Sequence, residues 1–182
     1  STTTGASVRW PLVVSVFNTG TQLPGSGIAG VFTTPIHPGF SIGTEHYYNK
    51  NLKNRWFQTA RFGFSRHQYV QTALLLYSEV GYRRLLWRGI GTELRVGGGY
   101  LHSIPATGLF ELKNGVYESK SRIGRPQGMA SGTFGLSYAT LQRTKPLRFF
   151  VDYQFYLQLP FVKSYVPLLP NTALHAGVAI PL

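Results

Sequence analysis

The sequence predicts an all-β fold: a transmembrane, antiparallel up-and-down β-barrel of eight strands with a packed polar interior. Three observations point there. Apolar and polar residues alternate with a period of two along most of the chain, while helical spacing is nearly absent. The alternating segments run to roughly 11–16 residues, against about 5–6 for an ordinary strand. Their polar rows hold Gly, Ser and Thr with matched Arg and carboxylates, and no lysine lies well inside a segment.

The chain reads as one domain, with residues 1–38 an N-terminal segment containing the first strand and residues 39–182 the remaining strands. Seven strands follow from alternation alone, and a barrel with both ends on one side needs an even number. Val8–Phe17 is assigned as the eighth, with Trp10, Leu12, Val14 and Val16 outward and Pro11 near its start, where a missing N–H is tolerated. Ser26–Thr34 competes for that role. Phe40–Asn49 sets Phe40, Ile42 and Tyr48 against Ser41, Gly43, Glu45 and Tyr47. Asn54–Ser65 sets Trp56, Ala60, Phe62 and Phe64 against Arg55, Thr59, Arg61, Gly63 and Ser65. In Tyr69–Arg84 the apolar row is Val70, Leu74, Leu76, Val80 and Tyr82, opposed by Tyr77, Glu79, Gly81 and Arg83, with Leu75 out of place. Gly89–Ser103 opposes Ile90, Leu94, Val96 and Tyr100 to Glu93, Arg95, Gly97 and Gly99. Met129–Ala139, Leu147–Gln158 and Ala173–Leu182 complete the set. Short connectors (Lys50–Lys53, Trp87–Arg88, Gln142–Lys145) broadly alternate with long ones (Pro105–Gln127, Pro160–Asn171), giving one tidy and one elaborated end; the short Arg66–Gln68 turn is the exception.

Alternation alone leaves open whether the apolar row faces in, as in a lipocalin-like soluble barrel, or out. The polar residues decide it. A water-facing sheet surface favours Lys and Glu. Here Glu45, Glu79, Glu93 and Asp152 share a face with Arg55, Arg61, Arg83, Arg95 and Arg148, with His175 in the same row. Small residues with paired charges suit a crowded interior where a lone charge is costly. The apolar rows place Tyr48, Trp56 and Tyr82 toward one rim and Tyr69 and Tyr100 toward the other, as an interfacial aromatic girdle requires.

In this pattern the chain resembles the small eight-stranded outer-membrane barrels of Gram-negative bacteria, over residues 39–182 and without a specific family motif. The terminal strand ends on an apolar residue in the lipid-facing row, like the assembly signal of such proteins, with Leu182 in place of Phe and Pro181 interrupting it. The resemblance implies an outer-membrane location, periplasmic termini and a signal peptide already removed.

The chain carries 18 Lys+Arg against 6 Asp+Glu, a net charge of +12, and no cysteine, so disulfide scaffolds and thiolate chemistry are excluded. No run approaches the ~18 apolar residues of a spanning helix. Once the interior neutralises itself, the excess charge falls on Lys50, Lys53, Arg84, Arg88, Arg143 and Lys145 at the tidy rim, and on Lys113, Lys120, Arg122 and Arg125 in the longest connector. Nucleic-acid binding would need cations interleaved with exposed aromatics on one face; contact with membrane lipids, lipopolysaccharide included, or with other outer-membrane proteins fits better. No His is followed two residues later by Ser, as a His-x-Ser lipid A deacylase needs, and His102 and Ser103 point to opposite faces. The five histidines show no metal-ligand spacing, and no cofactor is implied. The expectation is a non-enzymatic structural or interaction subunit of a larger outer-membrane complex for secretion, insertion or uptake. The alternatives are a lipid A- or phospholipid-modifying enzyme, a narrow ion pore, and a soluble ligand-binding barrel.

Overall fold

Eight strands hydrogen-bond edge to edge and close on themselves in the computed structural model, which describes residues 10–20, 37–66, 71–105, 110–113, 116–119, 124–140, 146–160 and 169–182. They are β1 (Leu12–Gly20), β2 (Pro38–Tyr47), β3 (Asn54–Arg66), β4 (Gln71–Trp87), β5 (Ile90–Pro105), β8 (Arg125–Ala139), β9 (Arg148–Pro160) and β10 (Leu169–Ile180). Between β5 and β8 a separate hairpin, β6 (Phe110–Lys113) and β7 (Val116–Ser119), pairs only with itself. All barrel pairs are antiparallel between successive barrel strands, and β1 closes on β10 with Leu12 opposite Ile180 and Gly20 opposite Thr172. Closure leaves no bare edge, the condition for a sheet in lipid.

The eighth strand is the one assigned from the N-terminal segment, shifted: β1 begins at Leu12, and Pro11 lies just before it. A proline has no N–H for the ladder, which explains the later start. The competing Ser26–Thr34 lies outside the described residues, as does Tyr69. The connector predicted over Pro105–Gln127 is more structured than alternation suggested, since it contains the β6–β7 hairpin, and its last three residues, from Arg125 to Gln127, open β8. Leu169, placed in a connector by its neighbouring prolines, begins β10 opposite Gln158.

Register puts the start of β1, the end of β10 and the β2–β3, β4–β5 and β8–β9 connections at one end. At this short-turn end, Arg88 (φ 47°) and Gly89 (φ 85°) make the two-residue turn between β4 and β5, a primed turn whose twist matches the flanking strands. The Gly97–Gly99 run lies mid-strand in β5, where β4 comes too close for side chains: a Cβ on Gly97 would strike the Ser78 carbonyl, and one on Gly99 the Leu76 carbonyl.

The alternation is inverted relative to a soluble barrel. Val16, Leu76, Leu94, Val96, Leu136 and Val151 are exposed on the outside, while Glu45, Glu79, Glu93, Arg95 and Asp152 are almost completely buried inside. That is the distribution of a membrane-spanning barrel, in which greasy side chains meet lipid and charges need partners in the lumen.

The interior is not polar throughout. Its loop-side part is an apolar plug of Phe17, Ala73, Leu75, Tyr77, Leu101, Met129, Tyr156 and Ala173. Leu75, out of place in a purely polar lumen, belongs to this plug.

Candidate functional site

The lumen is where the chemistry-bearing side chains converge, because residues of one parity on every strand point inward. Glu45 of β2, Arg83 of β4, Glu93 of β5 and Arg148 of β9 form a closed ring. The Arg83 guanidinium donates to Glu45 Oε2 at 2.9 Å and to Glu93 Oε1 at 2.6 Å. Arg148 donates to Glu45 Oε1 and Glu93 Oε1, both at 2.5 Å. Deeper in the lumen, Arg95 engages three carboxylates at once: Glu93 Oε2 at 2.9 Å, Glu79 Oε2 at 3.2 Å and Asp152 Oδ2 at 2.5 Å. The other oxygen of Glu79 accepts from Ser131 Oγ (2.7 Å), Thr133 Oγ1 (2.8 Å) and Gln154 Nε2 (3.2 Å). Gln154 Oε1 lies 3.0 Å from His175 Nε2, and His175 Nδ1 lies 3.4 Å from Ser15 Oγ, which bonds Ser41 at 2.7 Å. All eight barrel strands contribute to this interior set once Arg61 of β3 is included.

Nine of the ten residues assigned to the lumen network from sequence are brought together here. Arg61 is its looser member, 3.8 Å from Asp152 Oδ2 and 5.3 Å from the centre of the Phe150 ring. The tenth, Arg55, faces the same interior near the short-turn mouth but joins no carboxylate among the described residues; its guanidinium stacks 4.4 Å over the Tyr47 ring. Its cross-strand neighbour is Arg83, a like charge directly opposite. Arg83 is already committed to Glu45 and Glu93, so Arg55 is left to an aromatic face. His175 is a lumen residue held by hydrogen bonds with Gln154 and Ser15.

The apolar plug was not foreseen as a unit. Phe17, Leu101, Met129 and Tyr156 come from four strands far apart in sequence, and single apolar residues in polar rows gave only the Leu75 anomaly as a signal.

Outside, Tyr48, Trp56 and Tyr82 stand at the short-turn rim. Trp56 and Tyr82 pack with ring centres 5.1 Å apart, Tyr82 donates to Asn54 Oδ1 at 2.8 Å, and Tyr48 donates to Gln58 Oε1. Toward the loop end, Tyr100 Oη is 2.9 Å from His102 Nδ1 on the outer face, whereas Ser103 is buried on the inner one. Lys50, Lys53, Arg84 and Arg88 are exposed at the short-turn rim. Lys113 lies in β6 and Arg125 in β8; Lys120, Arg122, Arg143 and Lys145 lie outside the described residues. Among the described residues no group of three His, Asp or Glu is disposed to hold a metal.

No known protein family matches the sequence, and no curated protein resembles it at sequence level. Solved structures do resemble the fold. The outer membrane enzyme PagL superposes with a TM-score of 0.53 at 11% identity, over 94% of this chain and 99% of that one. Neisserial surface protein A, NspA, gives 0.53 at 10% identity, over 97% and 98%. At such low identity the likeness concerns architecture alone: this chain has the closed eight-stranded barrel fold of small outer-membrane proteins.

Proposed function

We propose that the chain is an integral outer-membrane protein of a Gram-negative bacterium, with its short-turn end and termini in the periplasm, and that it serves as a non-enzymatic structural or interaction subunit of a larger envelope assembly. One observation carries this reading: the lumen is consumed in holding itself together. Its carboxylates are bound to guanidinium groups and hydroxyls across the strands, and an apolar plug closes the loop side. Work must then be done by the exterior, the rims and the loop-end connectors, including the β6–β7 hairpin. Its partners on the loop side, in this reading, are lipopolysaccharide and other outer-membrane proteins.

Extraction in a mild detergent, followed by native electrophoresis and in-membrane crosslinking, tests the reading. A discrete species larger than the barrel is expected. A barrel that runs alone at monomer size and crosslinks to nothing overturns the subunit role.

A second reading, a lipid-modifying enzyme, is favoured by one feature, the exposed Tyr100–His102 pair on the outer face. It requires a mass change in lipid A or phospholipid when the protein is expressed, abolished by His102→Ala. Unchanged lipids with the wild-type protein remove it.

A further inference from the structure

All three tryptophans of the chain, Trp10, Trp56 and Trp87, are at the short-turn end and 52%, 53% and 66% exposed. Trp87 is there by a backbone device. Counting along β4 from the inward residues Tyr77, Glu79 and Arg83, position 87 should also face the lumen. The register instead slips: Leu85 pairs with Gly91, but Trp87 pairs with Ile90, leaving Leu86 as the bulged residue. Residues directly opposite in an antiparallel pair share a face, and Ile90 faces outward beside Tyr138. The bulge therefore turns Trp87 out of the lumen mouth and onto the outer rim, the re-aiming that such irregularities perform.

The charges at this rim are equally one-sided. The Arg88 guanidinium lies 4.4 Å over the Trp87 ring. The β2–β3 turn is tied to the same sector by the Leu85 N–H, which donates to the Lys53 carbonyl at 2.8 Å, and Arg84 pairs with Asn54 immediately after that turn. Lys50, Lys53, Arg84 and Arg88 are thus gathered on two adjacent connections, all exposed. Of the chain's six acidic residues, Glu45, Glu79, Glu93 and Asp152 are buried in the lumen, and Glu111 and Glu118 belong to the hairpin in the connection between β5 and β8.

From this we infer that the short-turn rim, built on the tip of the β4–β5 hairpin and the β2–β3 turn, binds the headgroups of anionic phospholipids. Lys53, Arg84 and Arg88 hold the phosphate, and outward Trp87 with Leu86 anchors the site beside it at the membrane interface. Indoles prefer that interfacial depth, and cations beside an anionic leaflet gain about 1 kcal/mol each. The inference rests on the membrane-spanning reading and specifies the lipid chemistry at one end. Phospholipid is chosen over lipopolysaccharide because, in the proposed orientation, this rim meets the periplasmic leaflet.

Native mass spectrometry of the full-length barrel with an equal mixture of phosphatidylglycerol and phosphatidylcholine tests it. Wild-type protein is expected to retain phosphatidylglycerol severalfold over phosphatidylcholine. In the Lys53→Gln/Arg84→Gln/Arg88→Gln variant that preference should be lost, with the two lipids retained about equally. Lys113→Gln, at the other end, should leave it intact. Arg88→Gly, which keeps the left-handed turn while removing charge and ring contact, should lower it by itself. Equal retention of both lipids by the wild type, or a preference that survives the triple substitution, overturns the headgroup site and leaves an acidic protein as the rim's partner. Flotation with phosphatidylcholine vesicles separates this from the underlying reading: a folded protein that fails to float refutes the membrane barrel itself, whereas one that floats without lipid preference refutes only the headgroup site.

Discussion

At the scale of single residues, the difference between Arg95 and Arg55 shows how the lumen is organised. Arg95 is 2% exposed and binds three carboxylates, so its loss leaves buried Asp152 to the looser Arg61 and takes a guanidinium partner from both Glu79 and Glu93. Breaking a buried pair by removing one partner costs about 3–5 kcal/mol. Arg95→Met is therefore expected to lower the unfolding free energy extracted from detergent-solubilised urea titrations by that order, the like-charge repulsion among three acids adding to the desolvation cost. Arg55→Gln removes a cation that no carboxylate among the described residues holds, and relieves the facing Arg83. The same titration should place it within about 1 kcal/mol of wild type, the range of weakly coupled charges. Reversal of that order would mean that Arg55, not Arg95, organises the interior.

At the scale of elements, the β4–β5 hairpin combines two irregularities with separate consequences. The glycine run allows β5 to approach β4 closely, and Gly97→Val would drive a branched side chain into the Ser78 carbonyl. Its heat-modifiable band on a cold detergent gel should be lost or greatly reduced, since the closed barrel cannot form with those strands apart. The bulge at Leu86 instead orients Trp87. In a Trp10→Phe/Trp56→Phe background, Trp87 emission is expected to be quenched by lipids brominated near the headgroup. Deleting Leu86 removes the bulge but leaves the indole next after inward Leu85 and opposite outward Ile90, so quenching should be kept. Loss of quenching after the deletion would show that pairing with Ile90 does not set the ring's direction.

At the scale of the whole molecule, two kinds of packing close the barrel in series. A charge-paired network fills the short-turn side and mid-lumen, and Phe17, Leu75, Leu101, Met129 and Tyr156 close the loop side. A continuous water path has to cross both. Planar bilayers containing the wild-type protein should therefore show no stable unit conductance. Leu101→Ser/Met129→Ser, which replaces bulk by small hydroxyls in the plug, should increase leak events without reproducing a uniform channel, because the Arg–carboxylate ring remains. Steady unit conductance from the wild-type protein would refute the sealed lumen.

The sequence alone determined the fold class, the strand parity and nearly the whole polar interior, because each depends on short-range alternation: a residue's face is set by its neighbours two places away. The membership of Glu45, Arg61, Glu79, Arg83, Glu93, Arg95, Arg148, Asp152 and His175 in one row was legible for that reason. Which guanidinium meets which carboxylate was not, since Glu45 and Arg148 are 103 residues apart and are joined only by closure and stagger of the strands. The apolar plug likewise exists only after four or more strands pool single side chains at one height. Trp87 escaped alternation for the opposite reason: one extra residue in a strand inverts the face of everything beyond it, and only the pairing of β4 with β5 shows where that residue was inserted.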